Sequence, residues 1–281
     1  MPNRSGILYV VATPIGNLED LSPRALRVLK ESGLIAVEDT RHSRHLFDHF
    51  QIATALLPYH DFNERDTEKI LIERLLAGTD VALICDAGTP LINDPGYRLV
   101  KSAHEHGIKV APVPGPSAIT TALSAAGVPT DKFVFEGYPA EKHAARLKYL
   151  QGLKYERRTM VFYEAPHRIV EFLKDALDVF GPDRQGSIAR ELTKKFESIK
   201  TSSIQNLYNW IQEDKNHQKG EFVVLVQGAS REESETDIDA GRMLELLLEE
   251  LPLNTAAKIA SRITGISRNT LYQLGLKLQN K

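Results

Sequence analysis

The loop Leu83–Gly96 (LICDAGTPLINDPG) places Asp86 and Asp94 after the apolar run Val81–Ile84, and it contains no lysine or arginine. Glycine-rich loops after buried strands often bind phosphate, but a loop without cations is better suited to a neutral or positively charged ligand. Asp86, at the end of the predicted strand, could pair with a cation or accept a hydrogen bond from a ribose hydroxyl or an amine. Gly88 permits close approach of the backbone to such a ligand. Asp94 begins an Asp-Pro-Gly sequence and is better explained as a turn residue.

A second loop of small residues, Pro112–Ala118 (PVPGPSA), also follows an apolar run that reads as a strand. Ser117 is well placed to cap the helix that comes next. The backbone around it could also contact a ligand, because ligands of open α/β sheets bind beyond the carboxyl ends of the strands.

Three histidines, His42, His45 and His49, fall on one face of a predicted helix. Such a face can hold a metal ion. Arginines flank the three histidines, and Asp48 is the only carboxylate close to them, whereas metal sites usually need anionic ligands. We therefore expect a solvated or RNA-facing helix here and no metal site.

The elements that position these loops alternate between short β-rich runs and helical runs. GILYVVA, GLIAVED, DVALICD and IKVAPVP read as strands, and after Pro129 the pattern restarts with KFVFEGY, RTMVFYE, GSIARE and EFVVLVQ. Ser22 as N-cap and Pro23 at the first helical position begin one helix, Gly78 ends another, and a third is predicted between Pro166 and Gly181. Alternation of this kind predicts an α/β fold with parallel strands.

The stretch VPGPSAITTALSAAGVPTD is dense in proline, glycine and small residues, which is typical of a domain boundary. We therefore expect an N-terminal α/β domain over residues 1–118 and a second α/β domain over 119–230. A small C-terminal helical unit is expected over 236–281.

The C-terminal unit reads as helix, turn at Gly265, helix, which resembles a helix-turn-helix. The range Leu251–Lys281 contains no acidic residue, so its lysines and arginines could bind RNA. An equally good explanation is a helical hairpin that packs on the body of the protein or on a second subunit.

The composition of the chain excludes several classes of protein. Its 281 residues, 42% of them apolar, can bury sizeable cores. A net charge of −2 gives no global attraction to nucleic acid, so such binding requires a local basic patch. Cys85 is the only cysteine, which excludes an internal disulfide and a cysteine-built zinc site and predicts a cytoplasmic location. No apolar stretch is long enough to cross a bilayer, and none resembles a signal peptide, so no membrane association is expected.

Six stretches in a fixed order resemble the tetrapyrrole methylase superfamily: YVVATPIGNLEDLSPRALRVL, EDTRHSRHL, ICDAGTPLINDPG, PVPGPSAITTALSAAG, FYEAPHR and ARELTKKFE. They are most similar to its ribosomal RNA branch, which methylates the ribose 2′-oxygen of a cytidine in the decoding centre of 16S ribosomal RNA. The resemblance runs from about Gly6 to Gly228, and the C-terminal segment also matches that branch. It implies two α/β domains with S-adenosylmethionine in the cleft between them. It also implies a homodimer that acts on 16S ribosomal RNA or on the small ribosomal subunit.

The implied cofactor carries a sulfonium cation and no phosphate, which suits an acidic loop without lysine. The chain has Gly88-Thr89-Pro90 where the superfamily has Gly-Asp-Pro, and Asp86 stands two residues before Gly88. By motif position, the resemblance assigns these residues to the cofactor site: Asp86, Ala87, Gly88, Thr89, Ile92, Ser117, Ala118 and Leu192.

The implied reaction is an in-line transfer to a ribose oxygen, which depends on positioning and uses a proton acceptor. We expect His60 to be that base, with Glu38 and Glu164 as alternatives; Asp39, Asp61 and His167 are further candidates. Glu38 or Asp39 could instead cap the next helix, and Arg190 could form a structural ion pair with Glu191. The residues expected to bind RNA phosphates are Arg41, Arg168, Arg190 and Lys194, with Lys258, Arg262 and Arg268 in the C-terminal unit.

Two other functions are compatible with parts of the sequence. A tetrapyrrole C-methyltransferase of the precorrin type would have the same fold and cofactor, but ATPIGN replaces the usual Gly-x-Gly-Pro-Gly loop and the tail is basic. A non-enzymatic nucleic-acid-binding regulator could be built round the helix-turn-helix. The large two-domain α/β body argues against that alternative.

Overall fold

A computed structural model describes residues 5–60 and 62–279 of the chain. By their contacts, the residues form two compact units. The first extends to Ala125 and also contains Ala189–Ile199, whereas the second consists of Ala126–Ile188 and the chain from Lys200 onward. The first unit therefore extends past residue 118, where the sequence predicted a boundary. It also includes Ala189–Ile199, which lies in the second half of the chain.

The sheet of the first unit has five strands, paired in parallel in the order β3-β2-β4-β1-β5. Four of them match predicted strands, since each is an apolar run buried in the sheet. The third was not predicted, because it has three residues, ends in a proline and lies at the edge. The strands are β1 Ile7–Val11, β2 Leu34–Val37, β3 Leu56–Pro58, β4 Val81–Leu83 and β5 Lys109–Val113.

The helices of the first unit enclose two apolar clusters, one built around Leu29, Ile35 and Phe47 and the other around Leu71 and Leu99. The predicted helix start is confirmed, because the Ser22 hydroxyl accepts a hydrogen bond (3.0 Å) from a backbone N–H in the first turn. A short 3-10 helix spans Leu18–Asp20. The α-helices are α1 Pro23–Glu31, α2 Thr40–Phe50, α3 Glu64–Leu76, α4 Tyr97–Glu105 and α5 Ala118–Ala125.

The second sheet also has five strands, in the order β6-β7-β10-β8-β9, and it is mixed rather than wholly parallel. β10 pairs antiparallel with β7, and β6 pairs parallel with β7. β9 was not predicted, because its sequence SIKTSS is polar and half exposed. The strands are β6 Phe133–Gly137, β7 Thr159–Glu164, β8 Gln185–Arg190, β9 Ser198–Ser203 and β10 Phe222–Val226.

One apolar cluster, which includes Phe162 and Phe172, joins this sheet to three helices: α6 His143–Gly152, α7 Ile169–Phe180 and α8 Ile204–Glu213. Helix α7 begins at Ile169 and not at Pro166 as predicted. The intervening residues form a tight turn in which the Ala165 carbonyl accepts hydrogen bonds from two backbone N–H groups. Gly181, with φ +88°, ends the helix as predicted.

The C-terminal helices are α9 Arg231–Glu250, α10 Leu253–Thr264 and α11 Arg268–Gln279, with Gly265 (φ +76°) at the turn between the last two. Leu244, Leu271 and three alanines of α10 form a buried cluster. The predicted helix–turn–helix is therefore confirmed, and small residues allow its helices to approach closely.

Across the described ranges, none of the helices is both long and apolar enough to span a membrane.

Candidate active site

Backbone and side-chain hydrogen bonds join the loops at the carboxyl ends of the central strands of the first sheet. Gly88, after β4, exchanges two backbone hydrogen bonds (2.8 and 3.1 Å) with Thr13, after β1. The Thr89 hydroxyl donates to the carbonyl of Pro116, after β5 (2.9 Å). The two loops that the sequence singled out as ligand contacts are therefore fixed against each other and against the first strand.

Gly88 occupies a conformation and a space that suit glycine. Its φ is +86°, and a Cβ atom built there would lie 3.3 Å from the Cγ2 atom of Ile15. Ala87 is exposed, Ile92 is 40% exposed, and Ser117 and Ala118 are half-buried at the start of α5. Gly88 itself is buried, and the exposed or half-buried positions around it include the small side chains of Ala87, Ser117 and Ala118.

Asp86 lies among polar groups at the ends of β2 and β4. Its carboxylate accepts a hydrogen bond from the Asp39 backbone N–H (3.1 Å) and lies 3.5 Å from Nδ1 of His42. The Asp86 N–H in turn faces a carboxylate oxygen of Glu38 at 3.5 Å. Asp39 caps α2, as its alternative interpretation predicted, and its hydrogen bonds with Arg41 lower its pKa to about 2. The cluster is acidic and solvent-accessible, which favours a cationic or hydroxyl-bearing ligand.

The buried Cys85 thiol and the half-buried Asp94 carboxyl interact within the same loop. Burial is the main cause of the raised pKa of the Cys85 thiol, and the negative charge of Asp94 adds to it. Burial also raises the pKa of Asp94. A thiol in this state stays protonated and unreactive.

His60, the favoured base, follows the edge strand β3. Its backbone N–H donates to the Asn63 side chain (2.9 Å), and its ring lies edge-on to Phe62, which is fully exposed. Nδ1 of His60 is buried and has no hydrogen-bond partner among the described residues. Asp61 lies outside the described residues. A catalytic role for His60 stays a prediction.

Glu164 and Arg168 belong to the second unit, where they form a partly buried ion-pair chain. Oε1 of Glu164 accepts hydrogen bonds from the Ala165 N–H (2.8 Å) and from Nε of Arg168 (3.0 Å). Arg168 also pairs with Glu141 at 3.1 Å. Burial is the main cause of the raised pKa of Glu164, and its second oxygen is buried without a hydrogen-bond partner among the described residues. Two carboxylates thus already hold the Arg168 guanidinium, and its RNA contact stays a prediction.

The connection between β8 and β9 contains three of the predicted site residues. Leu192 is buried. The Arg190 guanidinium donates to the hydroxyl of Ser198 (3.1 Å) and to the carbonyl of Phe196 (3.0 Å), so it braces this connection. The Lys194 ammonium pairs with Glu191 at 3.0 Å. The left-handed backbone at Glu191 and Thr193 was not predicted from the sequence, because nothing in ARELTKKFE marks an unusual backbone.

The basic residues of the C-terminal unit lie on the exposed surfaces of α10 and α11. Lys258, Arg262 and Arg268 are exposed, and the Arg268 guanidinium also donates to the Asn254 side chain (2.5 Å). They form an accessible basic face, and their binding to RNA stays a prediction.

Within residues 5–60 and 62–279, no group of three or more histidine, cysteine, aspartate or glutamate side chains is arranged to hold a metal ion.

The fold and the strand-end loops match known proteins over most of the chain. The family model described as Tetrapyrrole (Corrin/Porphyrin) Methylases matches residues 7–208, and the model of the RsmI C-terminal HTH domain matches residues 234–279. Diphthine synthase is similar in structure, with a TM-score of 0.59, 15% identity and coverage of 79% of this chain and 90% of that one. Uroporphyrin-III C-methyltransferase from Thermus thermophilus, complexed with S-adenyl homocysteine, is also similar. Its TM-score is 0.53 and its sequence identity 19%, and the match covers 78% of this chain and 96% of that one. The fold is therefore that of a tetrapyrrole methylase.

Curated relatives narrow the assignment. The Ribosomal RNA small subunit methyltransferase I of Pseudomonas aeruginosa is 54% identical over 99% of both chains. The protein of the same name from Escherichia coli O157:H7 is 47% identical over 99% of this chain and 97% of its own. The chain belongs to the ribosomal RNA small subunit methyltransferase I family, a branch of the tetrapyrrole methylases.

Proposed function

We propose that the protein transfers a methyl group from S-adenosylmethionine to the ribose 2′-oxygen of a cytidine in 16S ribosomal RNA. The observation that carries the proposal is the near full-length identity to relatives named for small-subunit ribosomal RNA methylation. The loop after β4 supports the proposal, because it contains no lysine or arginine to bind a cofactor that carries phosphate groups.

The residues of this loop fit S-adenosylmethionine. Gly88 allows a left-handed backbone close to Ile15, and the small exposed side chain of Ala87 beside it leaves room for an adenosine or methionine moiety. The acidic surface around Asp86 suits a sulfonium cation and a ribose hydroxyl. We assign the cofactor to Asp86, Ala87, Gly88, Thr89, Ile92, Ser117, Ala118 and Leu192. When bound, the cofactor supplies a methyl group that is activated for displacement.

The protein contributes alignment and removal of the hydroxyl proton. Holding the ribose oxygen in line with the methyl carbon supplies much of the acceleration. The candidate proton acceptors named from the sequence are His60, Glu38 and Glu164, and the structure gives each of them a competing constraint. His60 follows an edge strand, the Glu38 carboxylate faces the Asp86 N–H, and Arg168 holds Glu164.

RNA binding is assigned to basic residues in three places: Arg41 on α2, Arg168, Arg190 and Lys194 at the second sheet's loops, and Lys258, Arg262 and Arg268 in the C-terminal unit. The Arg41 side chain is accessible to a ligand, since it is 89% exposed. The substrate is 16S ribosomal RNA, alone or within the small subunit. We also propose a homodimer, as the family resemblance implies; light scattering of the purified protein tests it.

The decisive experiment is mass mapping of 16S ribosomal RNA methylation from cells with and without the protein. We expect one cytidine to lose a single methyl group when the protein is absent. Alkaline hydrolysis then locates the group, because a 2′-O-methyl blocks cleavage at that nucleotide. Cleavage at the modified position with the methyl retained on the base would refute ribose methylation. Purified protein incubated with uroporphyrinogen serves as the negative control for C-methylation.

A further inference from the structure

The segment Glu191–Lys194, between β8 and β9, has an unusual and firmly held backbone. Glu191 and Thr193 have φ values of +51° and +64°, which non-glycine residues rarely adopt. The Lys194 N–H donates to the Glu191 carbonyl (3.0 Å), and the Thr193 N–H donates to a carboxylate oxygen of Glu197 (2.6 Å). Backbone conformations of this kind cost energy and cluster at active sites and ligand clamps.

This segment packs against the loop that follows β1, within the first unit. A Cβ atom built at Gly16 would lie 2.4 Å from Cγ of Lys194 and 2.9 Å from the hydroxyl oxygen of Thr193. The same loop begins at Thr13, which is hydrogen-bonded to Gly88. Thr193 and Lys194 therefore adjoin the loop that is paired with the proposed cofactor loop.

The Thr193 hydroxyl oxygen is buried and has no hydrogen-bond partner among residues 5–60 and 62–279. A buried hydroxyl without a partner destabilises the fold, so such a group calls for an explanation. A substrate hydroxyl or phosphate oxygen would supply the missing partner. Lys194 lies beside it with its ammonium 3.0 Å from Glu191, and both side chains are mostly buried.

We propose that Glu191, Thr193 and Lys194 hold the acceptor ribose, with Glu191 as its proton acceptor; the inference rests on the proposed function. The Thr193 hydroxyl and the Lys194 ammonium bind the ribose oxygen and stabilise the negative charge that develops on it. As that oxygen bonds to the methyl carbon, the carbon–sulfur bond breaks with its electron pair going to sulfur. The hydroxyl proton passes to the Glu191 carboxylate and then to water, while Lys194 stays charged.

Strand order favours Glu191 over His60. Gly16 follows β1, which neighbours β4 and its Gly88 loop, whereas His60 follows β3 at the sheet edge. Two strand spacings, roughly 10 Å at the usual distance between strands, separate β3 from β4, whereas β1 is one spacing from β4. A base beside the β1 loop is therefore closer to the proposed cofactor loop.

Two replacements at Thr193 separate a ligand contact from a structural role. Thr193→Val keeps the volume and removes the hydroxyl, and Thr193→Ser keeps the hydroxyl. We expect Thr193→Val to slow single-turnover methylation of unmodified small subunits at least tenfold, to leave the melting temperature equal or higher, and to leave S-adenosylhomocysteine affinity unchanged in calorimetry. Thr193→Ser should retain most of the rate. A full rate for Thr193→Val, or a lowered melting temperature, would overturn the ligand role.

The other residues are tested in the same assays. Glu191→Gln should slow transfer by about 10²–10⁴, the usual effect of losing a general base, with cofactor affinity within twofold. Lys194→Met should also slow methyl transfer. The matched control is Lys195→Met, at the exposed neighbouring position, which should transfer methyl at the wild-type rate. Full activity of Glu191→Gln would remove it as the proton acceptor.

Gly16→Ala tests the packing without altering the proposed groups. The added methyl would lie too close to the Lys194 stem and to the Thr193 hydroxyl oxygen, so both must shift, and we expect a slowed transfer and unchanged cofactor binding. A wild-type rate would show that the Gly16 contact does not position Lys194, and would overturn that part of the inference. If the wild-type protein methylates no ribosomal RNA, the proposed function fails instead, so the two failures are distinguishable.

Discussion

The hydroxyl of Thr89 donates a hydrogen bond to the backbone carbonyl of Pro116, and this bond ties the loop after β4 to the loop after β5. The two loops are adjacent to β1 on either side, since the sheet order is β4-β1-β5. Backbone hydrogen bonds between Thr13 and Gly88 complete the connection. The proposed cofactor surface therefore combines three strand-end loops that are hydrogen-bonded to one another.

Thr89→Val should weaken cofactor binding by loosening this connection. A hydrogen bond of this type contributes about 1 kcal/mol, so we expect roughly fivefold lower affinity for S-adenosylmethionine. Isothermal calorimetry measures it directly. Thr89→Ser, which keeps the hydroxyl, should bind like the wild type; equal affinity for the valine variant would show that the bond does not support the site.

Gly88→Arg should abolish S-adenosylmethionine binding in a folded protein, because the side chain fills the space beside Ile15. Gly107→Arg is the matched control. It also has positive φ (+66°), but a Cβ there meets nothing within 4 Å. Both variants carry the same type of backbone strain, so only the first should lose calorimetric binding. Undiminished affinity in a folded Gly88→Arg protein would remove this loop from the cofactor site.

The basic face of the C-terminal unit should make RNA affinity depend on salt. Lys258→Gln and Arg262→Gln each remove one exposed cation. If both contact phosphates, each change should lower the slope of log affinity against log salt by about 0.7–0.9, and cofactor binding should not change. Filter binding across a salt series measures the slope. Unaltered slopes would favour the packing role for these helices.

Asp175→Asn should destabilise the second unit strongly. Asp175 and Arg146 form a buried ion pair at 2.6 Å, with the two side chains only 2% and 1% exposed. Removing one charge leaves Arg146 buried with its remaining partner Glu171, so we expect a loss of about 3 kcal/mol in the free energy of unfolding by urea. Asp178→Asn, at an exposed position of the same helix, is the control. A loss below 1 kcal/mol for the first variant would contradict the ion pair's role.

Cys85 should resist alkylation in the native protein. Burial and the Asp94 charge raise its pKa, so the reactive thiolate is scarce at pH 8. Iodoacetamide should label it only after unfolding in guanidinium chloride, as read by mass spectrometry. Rapid labelling of the native protein would restore Cys85 as a candidate nucleophile and weaken the case for ribose methylation.

Sequence reasoning recovered the elements whose signal is local. Four strands of the first sheet are apolar runs, and the cap at Ser22 and the turn at Gly265 follow from residue type. Strands β3 and β9 were not predicted. Both lie at the edge of a sheet, where a strand can be short or polar and does not need the apolar run of a buried strand. Sequence reasoning also predicted a parallel second sheet, whereas β10 runs antiparallel to β7. Strand direction depends on partners distant in the chain.

The candidate site was predictable only in part, for the same reason. The loops around Gly88 and Ser117 carry recognisable motifs. The positive φ angles of Glu191 and Thr193 could not be predicted, because neither residue is a glycine or an asparagine, the types that usually indicate such a conformation. The engagement of Arg168 and Arg190 by neighbouring groups likewise depends on side-chain packing.

The first unit is discontinuous, because Ala189–Ile199 groups with the residues up to Ala125. During synthesis, the five strands of the first sheet leave the ribosome long before this segment does. Because the chain leaves the ribosome from its N-terminus, the contact between Gly16 and Lys194 cannot form until the intervening strands and helices have been synthesised. A nascent chain can fold its first sheet early, but its proposed acceptor site is completed only late in translation.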